Sequence, residues 1–342
     1  MSTRKKSYRV VLLALLLGLI LLSWIVQQTT GQAPSSTWKV YLPLLLRANT
    51  PTPTPVPTLT PTPTPPPAGD WLSRVNALRA MADLPPVVEN PAWTQGCIYH
   101  ARYVVKNDEL THYEDPNNPW YTQEGYEAGR NGNVMCSSNI ATSDIYAINL
   151  WMTGPFHGLG IVDARLQQVA FGSYREKIGM WQMAATLDVL RGINWSAPAT
   201  YPVFWPANGK TVDLTSFPGG EYPDPLASCP GYTAPAGLPI LVQLGNSSVT
   251  PAITAHSFKR GTTELDHCIF DETTYTNPDS SQQSLARSVL NMRDAVVIIP
   301  KQPLTPGQTY TVSLTNAGTT YVWSFTVANT IQVVPVASGI RY

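Results

Sequence analysis

Two of the five histidines in this 342-residue chain stand where chemistry is possible. His112 follows Glu109-Leu110-Thr111, just past a helix expected over residues 91–106. His157 follows Gly154-Pro155-Phe156, just past another expected helix that starts near Ser143. Each lies in a turn at the end of a helix with one apolar face, so packing those helices as neighbours would aim both rings into one cleft. A pair of neutral imidazoles can hold a divalent transition metal such as zinc, with water completing the shell. The same spacing also suits two unrelated surface or capping residues. His100 falls mid-helix and is expected to be a packed or surface residue, not a ligand. Spacings for a zinc protease (H-E-x-x-H), a nucleophile elbow (G-x-S-x-G), a phosphate loop or a dinucleotide fingerprint are absent.

The elements that must position these residues read as follows. Trp71, Val75, Leu78 and Met81 recur at helical spacing, and Leu84-Pro85-Pro86 ends that helix because proline disfavours α geometry in the residue before it. A second helix covers 91–106. Ser143 is a good N-cap for a third, which carries Ile145, Ile148 and Trp151 towards a core and stops at Gly154-Pro155. Strand-like runs follow at 168–172 and 179–190. Helices followed by strands make residues 70–200 an α+β unit. From 201 the helical signal fades into short β-rich runs at 238–244, 256–259, 295–299, 310–314 and 321–327, with one short helix over 284–291. Tyr310, Val312 and Leu314 alternate with Thr311 and Ser313, the period of a half-buried strand. Residues 201–328 are therefore expected to form an antiparallel β-sandwich, with 329–342 as a C-terminal tail.

Residues 10–26 are unbroken apolar sequence behind Arg4, Lys5, Lys6 and Arg9. Residues 1–33 read either as a cleaved signal peptide or as an uncleaved anchor that contacts the membrane. Both readings place the rest of the chain outside the cytoplasm. Residues 34–69 form a linker whose Pro/Thr-rich part, 50–67, excludes helix and sheet and favours a polyproline II stalk of roughly 55 Å. Four of the 22 basic residues precede the apolar run, leaving 18 against 22 acidic ones, so no basic stripe remains for nucleic acid. Four cysteines in an exported chain suggest disulfides, and the domain reading pairs Cys97 with Cys136 and Cys229 with Cys268.

The stretches VNALRAMADLPPVVENPAW (75–93), HARYVVKNDELTHYEDP (100–116) and AINLWMTGPFHGLGIVDARLQQVAFG (147–172) together resemble the CAP superfamily of cysteine-rich secretory and pathogenesis-related proteins, in its bacterial secreted form. The resemblance spans roughly 70–190. It implies an α-β-α sandwich with a central cleft lined by two histidines and two acids, where some members bind a divalent metal. His112 and His157 match the histidine positions. The first acid does not match, because Arg130-Asn131-Gly132-Asn133-Val134 stands where bacterial relatives carry Gly-Glu-Asn. Glu124 or Glu127 is expected to substitute, and Asp144 to stand in for the second acid, although a carboxylate in a first helical turn is equally explained by the helix dipole. Residues 303–327 resemble the last two strands of bacterial immunoglobulin-like domains. The chain is thus expected to be an exported surface protein binding an envelope, lipid-like or other extracellular ligand. Metal-assisted hydrolysis and a purely structural, adhesive role are the alternatives, and the missing acid counts against catalysis.

Overall fold

Alternation along three strands sets the first layers. The computed structural model describes residues 69–334 and 339–342, so the apolar run 10–26 and the Pro/Thr-rich stretch 50–67 lie outside the described residues. Helix α1 (Gly69–Ala80) precedes strand β1 (Val88–Glu89) and helix α2 (Pro91–Asn107). Helix α3 (Gln123–Arg130), strand β2 (Gly132–Ser137), helices α4 (Asp144–Thr153) and α5 (Pro155–Ile161), and strands β3 (Gln168–Arg175) and β4 (Met183–Asp188) follow. Val134 and Cys136 on β2 and Ala184 on β4 pack against Ala101, Val104 and Val105 of α2. Their neighbours Met135, Met183, Ala185 and Leu187 point the other way, into a core with Trp71, Val75 and Leu78 of α1 and Ile148 and Trp151 of α4. Helices therefore cover both faces of the sheet, as the period of two along a strand requires when both faces are buried.

The chain then runs through β5 (Val203–Trp205), β6 (Thr211–Val212), β7 (Ser216–Phe217), β8 (Ala236–Gly237), β9 (Ile240–Gln243), β10 (Ile253–Arg260), β11 (Thr263–Glu264) and β12 (His267–Asp271). Helix α6 (Ser280–Asn291), β13 (Ala295–Pro300), β14 (Thr309–Asn316), β15 (Thr319–Val327) and β16 (Ile340–Arg341) complete it. One sheet has the order β11-β10-β14-β15-β6 and another β12-β13-β9-β5. The β15–β6 pair is parallel, so this region is not wholly antiparallel as expected. Helix α6 starts at Asp279, whose carboxylate accepts from Ser281 N and Gln282 N.

The two halves share one hydrophobic core that extends from Trp71 to Tyr342. Polar bolts reinforce it. Arg74 donates twice to Asp213 at 2.8 and 2.9 Å, and Trp205 Nε1 donates to Leu78 O at 3.1 Å. Residues 329–342, expected as a tail, end in β16, which pairs with β2 and extends the first sheet to β1-β3-β4-β2-β16.

The cysteine pairing divides. Cys229 and Cys268 form a disulfide, as expected. Cys97 and Cys136 do not: both are free and buried. Cys97 on α2 packs with Ala128 and Ala170, whereas Cys136 on β2 packs in a separate cluster with Val104 and Ala184. Each thiol serves as a small core residue.

Candidate functional site

Proline starts the element that carries His157. Gly154 ends α4, and Pro155 occupies the first turn of α5, where its missing N–H and fixed φ suit a helix start. Gly154 has no side chain to cap the orphan amides of α5. A carboxylate from far along the chain does so instead. Glu221 Oε1 accepts from His157 N at 2.9 Å and lies 2.8 Å from His157 Nδ1. Gly154 makes room for it, since a Cβ there would lie 2.6 Å from Glu221 Oε1. Glu221 follows Gly219 and Gly220, which take φ of +91° and +90°, a backbone that glycine adopts without strain. The Tyr342 ring, delivered by β16, lies 5.2 Å from the His157 ring.

His112 is held from a different direction. Its Nδ1 donates to Gly129 O at 2.9 Å, which fixes the tautomer and leaves Nε2 as the free nitrogen. Gly129 also permits the close approach of His100, because a Cβ there would sit 2.3 Å from that ring. His100 is fully buried, 2.9 Å from Glu114 Oε1 and 2.8 Å from Thr111 O, so it fixes the loop leading into His112.

His112 and His157 line one cleft of about 250 Å³. Arg130, Asn133 and Arg293 join them, and Phe156, Val189, Leu190, Leu285, Val289 and Met292 give it an apolar wall. Glu124 does not line the cleft; it is exposed in the first turn of α3. Glu127 instead accepts from Gln123 Nε2 at 3.0 Å, and Asp144 pairs with Arg175 at 2.7 Å in the first turn of α4. The acid beside His157 is Glu221. Its local signal in the sequence is the Gly-Gly pair before it, in the stretch expected to form the separate β-sandwich.

Burial dominates the electrostatics. It lowers His157 to about 3 and pushes Glu221 well above the usual carboxylate range, so the pair is neutral at both partners. In that state one hydrogen bond still joins Glu221 Oε1 to His157 Nδ1, without a formal charge on either side. Desolvation also lowers His112, to about 4, but this residue keeps an exposed side that restores part of its hydration. On the far wall, buried Arg293 lies 2.9 Å from Asp163 Oδ2, which Arg165 also engages at 2.9 Å. Two guanidiniums share one carboxylate, and among the described residues Arg293 Nη2 has no hydrogen-bond partner.

No curated protein matches the chain. Residues 72–180, the stretch that contains both cleft histidines but not Glu221 or Arg293, match the family model CAP, the cysteine-rich secretory protein family.

Proposed function

We propose that this is an exported, cell-surface or secreted CAP-type binding protein whose cleft takes a small extracellular ligand with an apolar body and an anionic end. The observation that carries this reading is the make-up of the cleft: two histidines and two arginines facing a wall of Leu285, Val289, Met292 and Phe156. Ligand sites combine such an apolar lining with a few convergent polar groups. The positive charge of Arg130 suits an anionic acceptor. An immunoglobulin-like C-terminal region and a stalk at 50–67 would hold this cleft away from the envelope.

The donor set fits a zinc ion poorly. Only two imidazoles face the cleft. Among the described residues no three His, Cys, Asp or Glu side chains cluster as ligands. Metal-assisted hydrolysis therefore stays secondary to binding, as does a purely adhesive role.

A fluorescent long-chain carboxylate titrated into the full chain tests the reading. Saturable binding that weakens at least tenfold in both Arg130→Glu and Leu285→Glu is expected. Binding that is absent, or equal in all three proteins, would overturn it.

A further inference from the structure

A second pair of histidines lies in the C-terminal half, away from the cleft. His256 is on β10 and His267 on β12, strands of two different sheets. His256 Nδ1 lies 2.8 Å from His267 Nε2, with the rings nearly perpendicular at 86° and their centroids 4.9 Å apart. His267 Nδ1 lies 2.8 Å from Leu265 O. Because a carbonyl only accepts, Nδ1 carries the hydrogen and Nε2 holds the lone pair. A backbone carbonyl on one ring nitrogen is the usual way a protein orients the other towards a metal. His256 Nδ1 donates to that lone pair when it carries the hydrogen; His256 is exposed, and with its hydrogen on Nε2 instead, Nδ1 offers a second lone pair beside the first.

We propose that His256 Nδ1 and His267 Nε2 form a two-imidazole site for a divalent transition metal, with copper(II) or nickel(II) favoured over zinc. Geometry sets the preference. With metal–nitrogen bonds of about 2.0–2.1 Å, two ligands at a right angle are roughly 2.9 Å apart, whereas a tetrahedral centre needs roughly 3.3 Å. The observed 2.8 Å matches the right angle of a square or tetragonal centre. Both ligands bind as neutral imidazoles, so only water is displaced. Glu264 does not compete as a fixed ligand, since its Oε1 accepts from Phe258 N at 2.9 Å and Oε2 lies 3.7 Å from Lys259 Nζ. The remaining positions are open to water or to a further donor. His256 also lines a pocket of about 410 Å³ with Asp271 on its wall, which leaves room for one. Bound metal would tie the two sheets together beside the Cys229–Cys268 disulfide and so stabilise the folded chain.

The test uses the full chain and the metals alone. Calorimetric titration with Cu²⁺ should give a site that weakens at least tenfold in His256→Ala and in His267→Ala. It should be unchanged in His112→Ala, and Zn²⁺ should bind at least tenfold more weakly than Cu²⁺. Saturating Cu²⁺ should raise the melting temperature of the unaltered chain and not that of His267→Ala. No Cu²⁺ binding, binding indifferent to His267→Ala, or binding lost only in His112→Ala would overturn the proposal. The last result would move the metal to the cleft and revise that reading instead.

Discussion

Glu221 Oε1 is held against both the backbone N–H and the Nδ1 of His157, at 2.9 and 2.8 Å, across 64 residues of sequence. One carboxyl thus caps a short helix and fixes an imidazole in the same contact. Removing it strands two polar groups away from water, so Glu221→Ala should destabilise the chain by about 1–3 kcal/mol. Denaturant unfolding of the two proteins side by side measures this, and a change below about 0.5 kcal/mol would contradict the capping role.

The same pair predicts a pH dependence. Burial raises Glu221, so the folded chain keeps this proton at pH values above 4.5 where the unfolded chain has released it. Its contribution to stability is complete below pH 4.5 and is lost as pH rises through the raised folded value. His157 runs the other way: its contribution is present above 6.5 and is lost as pH falls towards 3. Glu221→Gln removes the first dependence and keeps the second. Relative to the unaltered chain, it should gain stability as pH rises from 4.5 through the raised folded value of Glu221. Parallel unfolding curves at all pH values would contradict this.

Gly129 serves two histidines at once, accepting from His112 and leaving space for His100. Gly129→Ala should cost about 1–3 kcal/mol through overpacking. It should also shift the His112 ring resonances, whereas Gly209→Ala, at a φ of +75° with open space around it, should not. Proton–nitrogen correlation spectra of the imidazoles separate the two outcomes.

Asp163 is the counter-charge for two buried guanidiniums. Burial alone would raise it, but Arg293 and Arg165 hold it below its ordinary value. Asp163→Ala should therefore cost about 3–5 kcal/mol, because it leaves positive charge buried and unpaired. In the unaltered chain this contribution is present above 3.8 and is lost as pH falls through the lowered folded value. Thermal unfolding at neutral pH and at about pH 3 checks both statements.

The two free cysteines should be inert in the folded protein. Burial raises the Cys136 thiol to about 12 and Cys97 further still, so little thiolate is available to react. A thiol reagent should find no reactive group in the native chain and two in denaturant without reductant. A count of zero in denaturant would instead mean that Cys97 and Cys136 are paired.

Local chemistry was legible in the chain itself. The helical spacing of Trp71, Val75 and Leu78, the Ser143 cap, and the alternation of Tyr310, Val312 and Leu314 act within a few residues, and α1, α4 and β14 form where they act. His112 and His157 were also findable, because each closely follows a helix whose apolar face fixes its direction, although His157 lies in the first turn of a further helix, α5, and not in the expected turn. Tertiary structure alone decided the rest. The acid for His157 comes from a Gly-Gly loop 64 residues away, a match that no local spacing encodes. Cys97 and Cys136 sit in separate clusters because Cys97, near the start of α2, packs on Ala128 and Ala170, whereas Cys136 on β2 packs on Val104 and Val105 towards the end of that helix. His256 and His267 meet because two sheets stack, and sequence period determines which face a residue takes but not what that face meets.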